Sequence, residues 1–152
     1  MTPPRERSKK RSGANSTARR RREATTFYLD ESIYSRVLAN RIRADGARVE
    51  HPGPGRVIPF GSPDTVWLTE CGKRGWVVLM RDQHIRRRLL EREALRSAGV
   101  AAFVFTGGQV TAVETSEVIT RVLQKLVNIS WSEPKPFLRT LSTRGAISRK
   151  RL

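Results

Sequence analysis

Residues 75–82 have the sequence Gly-Trp-Val-Val-Leu-Met-Arg-Asp (GWVVLMRD). The five residues Trp76–Met80 are all apolar, which is typical of a strand that is buried on both faces of a parallel sheet. Parallel strands need long crossover connections, so the flanking residues are expected to include helices. Asp82 follows Arg81 directly and therefore lies at the carboxyl end of this predicted strand.

Strand and helix patterns alternate on both sides of this segment. The predicted elements are a strand at Thr25–Leu29, a helix from Ser32 to Gly46, a strand at Ala47–His51, a helix from Ser62 to Gly75, the strand Trp76–Met80, a helix at Leu89–Ala98, a strand at Val100–Phe105 and a helix that begins at the capping box Thr111–Glu114. This order predicts an α/β fold with a mostly parallel central sheet and helices on both faces.

The two ends of the chain have different patterns. Phe137–Leu141 and Ala146–Leu152 flank a turn sequence, so residues 137–152 are predicted to form a C-terminal β-hairpin. Residues 1–26 hold nine Lys/Arg, two Glu and almost no large apolar side chain. Such a segment cannot offset the entropy of ordering itself, so residues 1–25 are predicted to be a disordered basic arm, which either contacts phosphates or has no role. Residues 26–152 are then one domain.

The whole chain is strongly basic, with 30 Lys+Arg against 14 Asp+Glu and a formal net charge of +16 over 152 residues. The body of the chain stays positive when the arm is left out, which favours a polyanionic partner. One cysteine, Cys71, excludes an internal disulfide and fits a reducing compartment. The apolar runs are far shorter than the roughly 18 residues of a membrane span, and the N-terminus lacks an apolar signal region. We expect a cytoplasmic protein with no membrane contact.

Acidic residues follow or precede the predicted elements at one edge of the sheet. Asp30 and Glu31 follow the first strand, Asp82 follows the strand Trp76–Met80, and Asp64 lies at the start of a helix. Strand ends and helix starts share one rim of an α/β layer, so Asp30, Asp64 and Asp82 are expected to converge. Clustered carboxylates suit Mg²⁺ or Mn²⁺, which support phosphodiester hydrolysis. The alternative for each acid alone is a helix cap or a turn.

Basic residues come directly after the last of these acids. Arg86, Arg87 and Arg88, with Arg81 and His84 nearby, are candidates for binding the phosphates of a nucleic acid beside the metal site. The alternative is a solvated charge run, but the position beside the acids favours phosphate binding.

Four segments together resemble a known family. They are FYLDES (27–32), SPDTVWL (62–68), RGWVVLMRDQHIRRR (74–88) and GVAAFVFTGGQVTAVE (99–114). Residues 26–152 resemble the PIN-like domains of VapC-type toxins, in the small variant with an Asp-Glu pair after the first strand. The resemblance implies a Rossmannoid three-layer fold. Two positions depart from the family pattern: Met80 stands where threonine is frequent, and Thr106-Gly107-Gly108 stands where a fourth acid is usual.

The same resemblance implies a function. A VapC-type toxin is a Mg²⁺- or Mn²⁺-dependent endoribonuclease of a type II toxin-antitoxin pair. Asp30, Asp64 and Asp82 match its catalytic metal ligands, and Glu31 matches the second member of the Asp-Glu pair. The implied partners are an RNA substrate and a cognate antitoxin that covers the acids, and the resemblance is compatible with a homodimer.

Two other classes of function stay open. A non-catalytic RNA- or DNA-binding protein on a PIN-like scaffold would explain the positive charge and the absent fourth acid. A phospho-acceptor domain would also use acids and Mg²⁺ at these strand ends. That class requires a lysine near the end of a late strand, however, and residues 100–108 contain none.

Overall fold

The computed structural model describes residues 4–81, 88–150 and 152, and the side chains of 13, 15–81, 92–150 and 152 among them. Helices and strands alternate along these residues. In chain order they are α1 (Pro4–Glu23), β1 (Thr26–Leu29), α2 (Arg36–Ala44), β2 (Arg48–Glu50), α3 (Asp64–Arg74), β3 (Val77–Arg81), α4 (Arg88–Ala98), β4 (Ala101–Phe105), α5 (Ala112–Ser132), β5 (Phe137–Leu141) and β6 (Ile147–Lys150).

The six strands form one sheet in the order β2-β1-β3-β4-β5-β6. Every neighbouring pair is parallel except β5 and β6, which form the antiparallel C-terminal hairpin. The strand predicted from GWVVLMRD is β3, and it lies between β1 and β4 with Val77–Met80 buried. The predicted α/β fold with a mostly parallel sheet and a terminal hairpin is confirmed.

Alternate side chains of each central strand enter two separate hydrophobic cores. Phe27, Leu79 and Phe103 pack on one face of the sheet against α2 and α5. Tyr28, Val78 and Ala102 pack on the other face against α3 and α4. This two-sided burial explains why the strand sequences are continuously apolar rather than alternating. In the part of the chain that the structure describes, none of the helices combines the length and the apolar composition needed to cross a membrane.

The N-terminal segment differs from its predicted disorder, because residues 4–23 are helical. The last turns of α1 contact α5 through polar groups. Arg22 Nη1 donates to Gln124 Oε1 at 2.8 Å, and Gln124 Nε2 donates to the carbonyl of Ala18 at 3.2 Å. Composition alone missed this segment because its partners lie about one hundred residues further along the chain.

The start of α2 also differs from the prediction. The sequence pattern placed the beginning of the helix at Ser32, but the N-cap is Ser35, whose hydroxyl accepts from the backbone N–H of Leu38. Residues 30–34 instead form a turn in which the carbonyl of Asp30 accepts from the N–H groups of Ile33 and Tyr34. The turn leaves Ser32 free of the helix and next to Asp30.

Candidate active site at the carboxyl ends of the strands

A cavity of about 350 Å³ opens where β1 ends and α3 begins. Residues from β1, the turn after it, the loop before α3 and α3 itself line its wall: Tyr28, Asp30, Glu31, Ser32, Pro52, Ile58, Pro59, Ser62, Asp64 and Trp67. Three of the four predicted acids, Asp30, Glu31 and Asp64, therefore share one cavity although 34 positions separate the first from the last. Its place at the carboxyl edge of a parallel sheet is the usual place for an α/β site.

Ser32 fixes the carboxylate of Asp30. Asp30 Oδ1 accepts from the backbone N–H of Ser32 at 3.1 Å and from the Ser32 hydroxyl. The Ser32 Oγ in turn accepts from the backbone N–H of Arg81 at 2.9 Å. This one side chain joins the end of β1 to the end of β3, so the residue that precedes Asp82 is tied to Asp30. Asp82 itself lies outside the described residues.

Asp64 is positioned by an aromatic stack. Its Oδ1 accepts from Trp67 Nε1, one turn further along α3, at 3.0 Å. The Trp67 indole is buried and stacks on the Tyr28 ring with the centroids 5.3 Å apart. Tyr28 belongs to β1, two residues before Asp30. The stack therefore sets the distance between the strand that carries one acid and the helix that carries the other.

Glu31 holds the loop that borders the cavity. Its Oε1 accepts from the backbone N–H of Gly61 at 2.9 Å. Glu31 thus lines the cavity and anchors residues 51–63, the loop between β2 and α3. This contact gives Glu31 a positioning task that the sequence did not indicate.

The pKa of Asp30 is raised to about 6, mainly by burial and to a smaller extent by the negative charge of Asp64, while hydrogen bonds from Ser32 and Ile33 act in the opposite direction. A carboxylate that is buried beside a second carboxylate is stabilised by a cation. Among the described residues, the Ser32 bonds to Asp30 and the Trp67 bond to Asp64 are all accepted by Oδ1, and a carboxylate with two oxygens keeps acceptor capacity for a hard cation such as Mg²⁺. These two residues fit a divalent metal.

Two acids alone do not complete a metal site. Among the side chains that the structure describes, at residues 13, 15–81, 92–150 and 152, no group of three His, Cys, Asp or Glu is arranged to hold a metal ion. The predicted third ligand, Asp82, is outside those ranges. The ligand set Asp30, Asp64 and Asp82 with Glu31 therefore stays a prediction, supported by the shared cavity for Asp30, Asp64 and Glu31.

The raised pKa of Asp30 predicts a pH-dependent stability. The folded-state pKa of about 6 exceeds the usual 3.8, so the neutral carboxyl is favoured in the fold. Its contribution is complete below about pH 4 and is lost as the pH rises through 6, a difference of about 3 kcal/mol in the free energy of unfolding. Urea unfolding in EDTA should therefore show that Asp30→Asn gains stability relative to wild type between pH 4 and pH 7. A constant difference across that range would contradict this assignment.

The predicted nucleic-acid contacts fall into two groups. Arg81 ends β3, and its guanidinium donates to the Gly107 carbonyl at 3.2 Å and to Thr115 Oγ1 at 2.7 Å. It also lies over the Phe105 ring, and burial lowers its pKa. Arg81 thus connects β3 to residues after β4 and to α5, and its contact with RNA stays a prediction. His84, Arg86 and Arg87 lie outside the described residues, and Arg88 is the first residue of α4.

Sequence reasoning missed Ser32 and the Trp67–Asp64 pair. An Asp-x-Ser sequence after a strand indicates an Asx turn, which was the available signal for Ser32. The Asp-x-x-Trp spacing on a helix places the two side chains on one face, which was the signal for the indole donor. Neither pattern reveals the distant partner, Arg81 or Tyr28.

Comparison with known proteins places the chain in a family. The family model described as a PIN-like domain matches residues 25–107, which is more than half of the chain and includes β1, α3, β3 and β4. The chain therefore belongs to the PIN-like domains, which are commonly metal-dependent nucleases. Searches among curated proteins and among solved structures gave no match.

Proposed function

We propose that this PIN-like domain is a Mg²⁺- or Mn²⁺-dependent endoribonuclease that acts as the toxin of a type II toxin-antitoxin pair. The observation that carries the nuclease proposal is the partly buried Asp30, which lines one cavity together with Asp64 at the carboxyl edge of the sheet. The net charge of +16 favours a polyanionic substrate. Carboxylates gathered in one cavity of such a protein are explained if a divalent cation binds between them and the polyanion approaches that cation.

The chain's own residues would act in defined ways. Asp30, Asp64 and Asp82 would hold the metal, with Ser32 orienting Asp30 and Trp67 orienting Asp64. A divalent ion held there would activate water and offset the charge that develops on the phosphate. Arg86, Arg87 and Arg88, which follow Asp82 in sequence, would bind the RNA backbone, because guanidinium groups make paired hydrogen bonds to phosphate oxygens. An antitoxin would inhibit by covering the acids, and a homodimer is compatible with this scheme.

A second candidate is a non-catalytic RNA- or DNA-binding protein. The Arg81 guanidinium donates to Gly107, in the segment after β4 where the family pattern has a fourth acid. The positive charge of Arg81 beside Gly107 would take the place of a metal ion after β4. This observation favours binding without cleavage.

Metal removal separates the two candidates. We expect purified wild type to cut a structured RNA pool in Mg²⁺ or Mn²⁺ and to lose this cleavage in EDTA, because the carboxylates cannot activate water without a cation. Asp82→Asn, purified in the same way, controls for contaminating nuclease and tests the third ligand. Cleavage that persists in EDTA or in Asp82→Asn would contradict the proposed site. RNA binding without any cleavage would support the second candidate.

A further inference from the structure

Phe60 is an aromatic side chain that the fold leaves exposed beside the cavity. It lies in the 51–63 loop, and 60% of its surface is accessible to solvent. Large aromatic side chains are normally buried, and an exposed one beside a candidate active site needs a partner. The neighbouring residue Pro59 lines the cavity that contains Asp30 and Asp64.

A basic side chain, Arg56, lies near the Phe60 ring in the same loop. Gly53 in the same loop has φ +152°, a conformation that favours glycine, and a Cβ added there would meet the Phe60 ring at 3.6 Å and Arg56 Cγ at 3.7 Å. Phe60 and Arg56 therefore flank one bare backbone position. The Arg56 guanidinium forms a long ion pair with Glu50, with 3.8 Å between Nη1 and Oε2, and among the described residues it makes no side-chain hydrogen bond that a phosphate would have to displace.

The loop is fixed to the acidic cavity at several points. Gly61, next to Phe60, donates its backbone N–H to Glu31, and the Ser62 hydroxyl donates to the Pro59 carbonyl at 2.8 Å. At the other end of the loop, the N–H of Gly53 donates to the Ile58 carbonyl at 3.1 Å. These bonds hold the loop on both sides of Phe60, and the bond to Glu31 attaches it to the cavity. A ligand that extends from the cavity past Pro59 would meet the Phe60 ring.

A nucleobase is the occupant that fits both side chains. A base stacks on an aromatic face, and the phosphate of the same nucleotide binds a guanidinium. The net charge of +16 favours a polyanion over an apolar protein segment. Bases are exposed for stacking only where RNA is unpaired, which defines the class of substrate.

We propose that Phe60 and Arg56 form a nucleotide subsite for single-stranded RNA, in which Phe60 stacks on a base next to the scissile phosphate and Arg56 binds the adjoining phosphate. This subsite rests on the proposed nuclease function, because it places the strand over Asp30 and Asp64.

Binding in EDTA tests the subsite apart from cleavage. The probe is a fluorescent single-stranded RNA of roughly a dozen nucleotides, and the Kd is measured by anisotropy. Phe60→Ala is expected to raise the Kd about tenfold through the loss of one stacked base, whereas Phe60→Trp keeps the wild-type Kd. Arg56→Gln is expected to reduce the slope of log Kd against log salt by about 0.7, the effect of one phosphate contact on a single strand.

Val57→Ala is the matched control, because Val57 is an exposed apolar residue of the same loop that lacks a ring. It should leave the Kd unchanged, and Phe60→Ala should not alter the binding of a blunt RNA duplex.

The subsite would be overturned if Val57→Ala and Phe60→Ala weakened RNA binding equally, or if Phe60→Ala did not weaken it at all. In the second case Val57, Phe60 and Val66 would be a surface for a protein. Wild type that cuts RNA while Phe60→Ala binds normally refutes the subsite alone. Binding through Phe60 without cleavage in any metal refutes the nuclease alone.

Discussion

Replacing Asp30 with asparagine is expected to lower RNA cleavage by about three orders of magnitude and to leave the protein folded. Asparagine keeps the shape of the side chain and an oxygen for the hydrogen bonds from Ser32, but it removes the negative charge that would bind the proposed metal. Because burial raises the pKa of Asp30 to about 6, the charged carboxylate destabilises the fold at pH 7. The variant should therefore unfold at a higher urea concentration than wild type while it loses activity.

Asp45→Asn is the matched control for this change. Asp45 is exposed at the C-cap of α2, away from the cavity, and should tolerate the same substitution without effect on cleavage. If the toxin proposal is right, induced expression of wild type or Asp45→Asn arrests cell growth and expression of Asp30→Asn does not. Undiminished cleavage by Asp30→Asn would refute the metal site. Growth unaffected by an active wild-type enzyme would refute the toxin role alone.

Replacing Gly72 with alanine should strongly destabilise the protein. Gly72 lies on α3, and a Cβ at this position would be 2.0 Å from the backbone oxygen of Ala98 on α4. A backbone oxygen cannot rotate away, so the two helices must separate. Overpacking typically costs 1–3 kcal/mol, and this contact is far closer than ordinary packing, so we expect a net loss of about 2 kcal/mol or more even after the higher helix propensity of alanine is included.

The helical Gly13 supplies the comparison. It lies in α1 with no atom within 4 Å of an added Cβ, so Gly13→Ala makes the same chemical change without a clash. Thermal unfolding followed by circular dichroism should show a lower Tm for Gly72→Ala and an equal or higher Tm for Gly13→Ala. A Tm for Gly72→Ala that equals or exceeds that of wild type would show that α3 and α4 are not packed as described. Because α3 carries Asp64, the variant should also lose cleavage activity.

Much of the fold was predictable from the sequence because its signals are local. The continuous apolar run Trp76–Met80 predicted a doubly buried strand, which the structure has as Val77–Arg81, and Thr111 caps α5 as its spacing with Glu114 predicted. The alternation of strands and helices then determined a parallel sheet and the edge at which Asp30 and Asp64 would meet. The topology alone places both acids at this edge, so their shared cavity was predictable without their individual hydrogen bonds.

Tertiary structure alone decided how the site is held. The Asp-x-Ser sequence is a local signal for the turn at Asp30, but the sequence does not indicate that the Ser32 hydroxyl accepts from Arg81 or that Glu31 binds the loop carrying Phe60. The helical state of residues 4–23, with its contact between Arg22 and Gln124, was equally hidden. Elements follow from periodicity within a short window, whereas these hydrogen bonds join residues that only the folded backbone brings within 3 Å of each other.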